Sequence, residues 1–102
     1  MEWEEKTELI RLGNKNYRSD DDRKEFQDYC LKHVDNFDLQ AWDMFSNIVE
    51  ISENDMKKDV DFWTKIFSKL KEIDCNNEKL SFRSGMRIAM IQTMCEEKLK
   101  LI

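Results

Sequence analysis

The clearest hydrophobic pattern in the chain runs from Ser52 to Asp74, SENDMKKDVDFWTKIFSKLKEID. At 3.6 residues per turn, large apolar side chains recur there on two adjacent stripes that span roughly 160° of a helix surface. Ser52 suits an N-cap, and the acids after it suit the positive end of the helix dipole. The pattern predicts one long amphipathic helix on which the other elements pack. Its two stripes are Met56, Val60, Trp63, Phe67 and Leu70, and Phe62, Ile66 and Ile73.

Asp59 is the one polar residue within the apolar arc of this predicted helix. Burying a carboxylate without a partner is costly. Two interpretations stay open. Asp59 either reaches water at the first turn of the helix, or forms a charged contact point that aromatic side chains surround.

A short first helix is predicted over Glu2–Leu12, with Trp3 as the side chain that anchors it to the core. Gly13 and Asn14 follow as a C-cap pair, because both residue types tolerate the left-handed conformation that ends many helices. This helix carries few apolar residues, so we expect it to depend on docking rather than on its own stability.

A second helix is predicted to begin at Ser19, with Asp20, Asp21 and Asp22 in its first turn. Three consecutive acids resemble a metal ligand cluster, but acids after a serine cap are also the ordinary start of a helix. We favour the second interpretation. These acids stay candidates for partner contact, because the acidic first part of the chain could steer the protein toward a basic partner. Its acids are Glu2, Glu4, Glu5, Glu8, Asp20, Asp21 and Asp22.

A third helix is predicted from a cap at Asp35 or Asp38 to about Ile51. It is apolar nearly all round, so it is either central in the bundle or covered by a partner. The segments between successive helices are short, which favours antiparallel neighbours.

The last helix, from near Glu78 or Ser81 to about Leu99, carries two apolar stripes. Either both belong to the core, or the second contacts a partner. Because a terminal helix usually lies at the edge of a bundle, we predict that one stripe is a partner or self-association face, with Arg83 and Arg87 at its margin. The stripes are Ile88, Ile91, Cys95 and Leu99, and Phe82, Met86, Ala89 and Met90.

Composition supports a single all-α domain over residues 1–102, a compact bundle of four to five helices. The chain has no proline and two glycines, so few hairpin turns are expected, and its 40% hydrophobic residues are enough to form a core. Its 22 acidic and 17 basic residues give a formal charge of −5, which disfavours broad binding to a phosphate backbone.

Localisation is expected to be cytoplasmic, with no membrane contact. The three cysteines are an odd number at wide spacing, which implies no disulfide framework and favours a reducing compartment. The acidic N-terminal segment does not fit a signal peptide, and no apolar run is long enough to span a bilayer.

Metal and cofactor sites are not expected. The segment from Asn14 to Glu25 has the length of an EF-hand calcium loop, and Glu25 suits its twelfth position. However, Arg18 stands where an oxygen ligand belongs, and Ser19 replaces the glycine of the sharp turn. No cysteine lies near the only histidine, His33, at zinc spacing.

We do not expect catalytic activity. Nucleophilic catalysis needs a nucleophile beside a base, and the only pair on offer is Cys30 with His33, one turn apart on an apolar helix face. That placement is more typical of core residues. The chain also lacks a glycine-rich phosphate loop and the motifs of serine hydrolases and zinc proteases.

The size, acidity and helical composition resemble in general type immunity proteins and small phage-encoded inhibitors, although no motif carries the resemblance. It implies an acidic or aromatic face that docks on a larger enzyme. We therefore expect a non-enzymatic protein that binds and regulates another macromolecule. The alternatives are a homodimeric nucleic-acid-binding regulator that uses Lys79, Arg83 and Arg87, and a subunit of a larger complex.

Overall fold

The computed structural model describes residues 1–101, and α-helices account for every regular element there except one 3-10 turn, Val34–Asn36. The all-α expectation is confirmed. There are six helices in this part of the chain, one more than the upper end of the predicted number, and α4 is only six residues long. They are α1 (Trp3–Asn14), α2 (Asp20–His33), α3 (Leu39–Ile48), α4 (Glu53–Lys58), α5 (Val60–Leu70) and α6 (Phe82–Glu97).

Four of the helices begin at a side-chain cap. In each, an oxygen of the cap residue accepts a hydrogen bond from the backbone N–H three residues later, which satisfies a donor that the helix itself leaves free. Asp38, and not Asp35, caps α3, and that helix ends at Ile48 rather than at Ile51. The four caps are Ser19, Asp38, Ser52 and Ser81.

The long helix predicted over residues 52–74 is wrong as drawn, because the chain breaks it at Asp59. Asp59 has φ −125° and ψ 44°, and its N–H bonds to the Met56 carbonyl, which ends α4. The Asp59 carboxylate lies 3.7 Å from Arg23 Nε on α2. An unpaired carboxylate in the apolar arc would be unfavourable, and the break instead places this one beside a cation. Neither sequence interpretation anticipated that pair.

Beside the break, one predicted stripe residue stays outside the core. Val60 is 39% exposed, whereas Met56 and Phe62 are buried as predicted. The helix ends at Leu70, and Ile73 packs on the core from the turn beyond it.

The core is centred on Phe45 of α3. Its ring is fully buried and lies within about 6.5 Å, centroid to centroid, of five other aromatic rings. Those rings come from α2, α3, α5 and the turn before α3, while α1 and α6 also pack on α3. The apolar third helix is therefore the central element. The five rings are Phe26, Phe37, Trp42, Phe62 and Trp63.

The first helix is held differently from the prediction. Trp3 is 64% exposed and does not anchor it, whereas Leu9 and Leu12 are buried. Lys6 adds an ion pair, with its ammonium 2.8 Å from Asp38 Oδ2. The helix also runs through Gly13 and Asn14, so the predicted C-cap pair does not end it. The lack of a side chain at Gly13 instead permits a close approach of α1 to α3, since a Cβ there would press into Ile48.

Gly85 allows an equally close approach at the other side of the bundle. A Cβ at this position would collide with the backbone carbonyl of Cys75, in the turn between α5 and α6. Gln92 strengthens the same contact, since its Nε2 donates to the carbonyls of Leu70 and Ile73 at 3.0 Å each. Together these contacts hold α6 to the end of α5.

Trp63→Ala tests the core. Trp63 is 3% exposed and touches Phe45 and Phe62, so we expect the free energy of unfolding to fall by about 3–5 kcal/mol. The measurement is a denaturant titration followed by circular dichroism. Thr64→Ala, at the exposed neighbouring position, is the control and should change stability by less than about 1 kcal/mol. A loss that small for Trp63 itself would contradict the packing.

Gly85→Ala tests the approach of α6 to the turn. Alanine normally stabilises a helix relative to glycine by about 1 kcal/mol. Here the added methyl meets a backbone atom that is hard to displace, so we expect a net loss of about 1–3 kcal/mol in the same titration. A stabilised variant would show that the turn yields easily.

Candidate functional site

The two apolar stripes of α6 have opposite fates. Ile88, Ile91 and Cys95 are fully buried against α3 and α5. On the other side Phe82 is 84% exposed, Met86 49% and Met90 47%. One stripe is thus buried and the other exposed, as the sequence prediction requires, and contact of the exposed stripe with a partner stays a prediction. We call the outer surface the α6 face; it consists of Phe82, Met86, Ala89, Met90 and Thr93.

Two shallow grooves run along this surface. One has a volume of about 310 Å³ and lies at the C-terminal half of α6, from Ala89 to Lys98. The other has a volume of about 400 Å³ and lies between the N-terminal half of α6 and the turn that contains Cys75. Phe82 and Met86 form one wall of the second groove. The α6 face is thus a ridge of flexible apolar side chains beside concave surface, a shape suited to contact with another protein.

The two arginines predicted at the margin differ in what they contact. Arg87 Nη2 donates to the Val49 carbonyl at 2.6 Å, and its Nε donates to the Ser46 carbonyl. These carbonyls end α3, so Arg87 serves as a C-terminal cap for the central helix. Arg83 makes one contact with α3, from Nε to Asn47 Oδ1 at 2.9 Å, and its side chain remains exposed. Arg83 is the arginine that borders the α6 face.

A buried polar cluster joins α6 to α3, and the sequence did not suggest it. Ser84, 1% exposed, bonds to Asp43 Oδ1 and accepts from Asn47 Nδ2 at 2.8 Å. Ser81 Oγ lies 2.9 Å from the same hydroxyl. Ser84 and the neighbouring Gly85 are therefore both used for packing inside the protein.

His33 and Cys30, the imidazole and thiol weighed as a pair in the sequence, have different surroundings. His33 Nδ1 lies 3.0 Å from Glu5 Oε2 on α1, and its ring packs on Tyr29. Cys30 is fully buried, and that burial raises the pKa of its thiol above the ordinary range. Burial, with a smaller contribution from the charge of Glu96, likewise raises the pKa of Cys95 to about 12. Both thiols therefore stay protonated and unreactive at neutral pH.

The acidic turn Asp20–Asp22 is partly neutralised by its neighbours. Asp20 Oδ1 lies 3.4 Å from Arg23, and Asp22 Oδ1 lies 3.5 Å from Lys15, while Asp20 and Asp21 remain exposed. The turn begins α2, which packs on α1 and α5, whereas α6 packs on α3 and α5. The predicted partner-binding residues thus fall into two regions and do not form one site.

The loop that resembles an EF-hand contains an ammonium group. Lys15 Nζ lies 3.2 Å from Glu25 Oε1, the residue that would fill the twelfth ligand position, and it also pairs with Asp22. Across residues 1–101, no group of three or more His, Cys, Asp or Glu side chains is placed to hold a metal ion.

The fold and the α6 face together define a small all-helical protein with an uncovered apolar surface on its last helix. Comparison of the chain with protein-family models, with curated proteins and with solved structures found no match. Over the described residues, no helix combines the length and apolar character needed to cross a membrane.

Arg87→Ala tests the assignment of the two arginines. It leaves carbonyls at the end of α3 without their charged donor, so we expect a loss of about 1.5–3 kcal/mol in the free energy of unfolding. Arg83→Ala, the matched control on the exposed side, should cost less than about 1 kcal/mol. Equal losses in denaturant titrations would contradict the assignment.

Proposed function

We propose that the protein is a non-enzymatic regulator that binds another macromolecule through the α6 face, as an inhibitor or immunity-like factor. The observation that carries the proposal is the exposure of one phenylalanine and two methionines on successive turns of a single helix, Phe82, Met86 and Met90. Single exposed apolar residues are ordinary, but a continuous apolar row beside charged residues is typical of an interaction site.

The nature of these side chains supports a protein as the partner. An aromatic ring such as Phe82 gains most from burial in an apolar pocket, and methionines adapt their shape to the surface that they meet. A nucleic acid would instead require several cations free to reach phosphates. Arg87 is occupied with α3, which leaves Arg83 and Lys79 in a chain whose formal charge is −5. The nucleic-acid alternative is therefore less well supported.

The acidic turn has a separate role in this proposal. Asp20 and Asp21 are exposed at the start of α2 and not on α6, so they would act on the approach of the partner rather than in the central contact. Exposed charges of one sign raise the association rate with a partner of opposite sign and change affinity less. This favours a target with a basic rim around an apolar pocket.

The environment of the reactive groups supports a role without catalysis. The thiols of Cys30 and Cys95 are buried, Ser84 is held by Asp43 and Asn47, and the only imidazole is paired with Glu5. The two thiols are buried, and Ser84, although its hydroxyl bonds to the Asp43 carboxylate, is only 1% exposed, so none of the three is open to a substrate.

The test is capture of the target with and without an intact α6 face. Tagged protein is used to capture partners from the cells it comes from, and the captured protein is then purified and titrated by calorimetry. We expect Met86→Glu with Met90→Glu to stay folded, because both side chains are about half exposed, and to weaken the target's affinity at least about a hundredfold.

A matched double variant provides the control. Trp3→Glu with Val60→Glu places two acids at exposed apolar positions on α1 and α5, outside the α6 face, and it should bind the target as the unaltered protein does. Loss of binding in both double variants, or in neither, would contradict the assignment of the α6 face. Unfolding of the methionine variant, seen by circular dichroism, would show that these side chains belong to the core.

A further inference from the structure

A row of exposed side chains along α6, here called the seam, has a charged residue at each end. Arg83, Met86, Met90, Thr93 and Glu97 follow one another at spacings of three and four residues, the repeat by which helices pair side by side. All five are exposed. Among the residues that the structure describes, neither Arg83 nor Glu97 has an ion-pair partner. The seam is thus basic at its start, apolar at its centre and acidic at its end.

We propose that this seam binds a second copy of the chain, with the two α6 helices antiparallel and crossing at Met90. The inference rests on the proposed function in taking the α6 face as a protein contact surface, and it names the partner that covers this face in the free protein. A two-fold interface of this kind is isologous, so each contact occurs twice.

The sequence of the seam matches its own reverse in charge. Arg83 and Glu97 each lie seven residues from Met90, so an antiparallel pair places Arg83 of one copy opposite Glu97 of the other at both ends. Met86 lies four residues before Met90 and Thr93 three residues after it, so these two seam residues come next to one another across the same pair. A methionine centre is therefore flanked by two ion pairs, an apolar core with a charged rim.

Charge also selects the direction of pairing. A parallel pair would set Arg83 against Arg83 and Glu97 against Glu97 at the ends of the seam. Like charges in direct opposition destabilise a helix pair, whereas opposite charges at its flanks specify orientation. Of the two ways to place a second copy along this seam, the antiparallel one is complementary.

The shape of the α6 surface fits the same antiparallel arrangement. Phe82 projects from the start of the helix, and the groove of about 310 Å³ lies near its end, where Lys98 forms part of the wall. Phe82 and Lys98 each lie eight residues from Met90, so the ring of one copy reaches the groove of the other. Contact of the ring with the lysine stem and ammonium would be favourable.

Self-association and target binding are then mutually exclusive, because both use the α6 face. A target that docks on the α6 face must displace the second copy, so the dimer is the form of the protein when the target is absent. The acidic turn Asp20–Asp22 belongs to α2, which packs on α1 and α5, and it takes no part in the pairing of α6 helices.

Sedimentation equilibrium of the full chain tests the inference. At about 200 μM we expect a species of twice the 12.4 kDa chain mass, with a dissociation constant below about 100 μM. Arg83→Glu and Glu97→Arg should each weaken the dimer by about tenfold or more, because each replaces two ion pairs with two like-charge contacts. The double variant restores opposite charges and should recover the original affinity within about threefold.

Two further variants keep the outcome interpretable. Lys65→Glu makes the same charge change as Arg83→Glu on an exposed part of α5, and it should leave the dimer unchanged. Arg83 contacts Asn47, so its variants are checked for folding by circular dichroism, while Glu97→Arg disturbs no ion pair among the described residues. A monomer at about 200 μM, or a double variant that stays as weak as the single ones, would overturn the antiparallel dimer.

The two proposals fail in different ways. If the chain is monomeric but Met86→Glu with Met90→Glu abolishes target binding, the dimer is wrong and the proposed function stands. If the charge swap restores a dimer while target binding ignores the α6 face, the dimer stands and the proposed function is wrong.

Discussion

Burial of the Phe45 ring is the interaction on which the rest of the structure depends. Phe45 lies on the short helix α3, and rings from α2, α5 and the preceding turn surround it. Because packed rings tolerate little displacement, they set the positions of three helices at once. Every other helix except α4 packs on this group or on α3 itself. The central element is thus the apolar third helix and not the longer amphipathic segment that follows it.

The position of α6 follows from this core. α6 packs on both α3 and α5. Gly85 permits its close approach to the turn after α5, and Arg87 binds the end of α3. A helix seated at the edge of a bundle buries one stripe, and its second stripe stays in water unless another molecule covers it. This is why Phe82 is exposed while Ile88, on the other stripe of the same helix, is fully buried. The buried and the exposed apolar side chains therefore lie on opposite sides of one helix.

Much of the candidate site could be predicted from the sequence, because helical periodicity is a local property. The two stripes of α6 and the burial of Trp63 follow from spacings of three and four residues, and the serine caps follow from the residue type that precedes each helix. The same reasoning failed for Trp3, since an amphipathic pattern does not show how far the end of a helix extends beyond its neighbours. It also could not separate Arg83 from Arg87, which share one helix margin.

The sequence by itself determined that the chain forms helices, where most of them begin, and that α6 carries two separate apolar stripes. Only the tertiary structure decided the break at Asp59, the capping role of Arg87 and the burial of Ser84. Each of these depends on a partner far away in the chain: Arg23, the end of α3, and Asp43 with Asn47. A buried charge or hydroxyl takes the position in which it finds such a partner, and local periodicity carries no information about that partner.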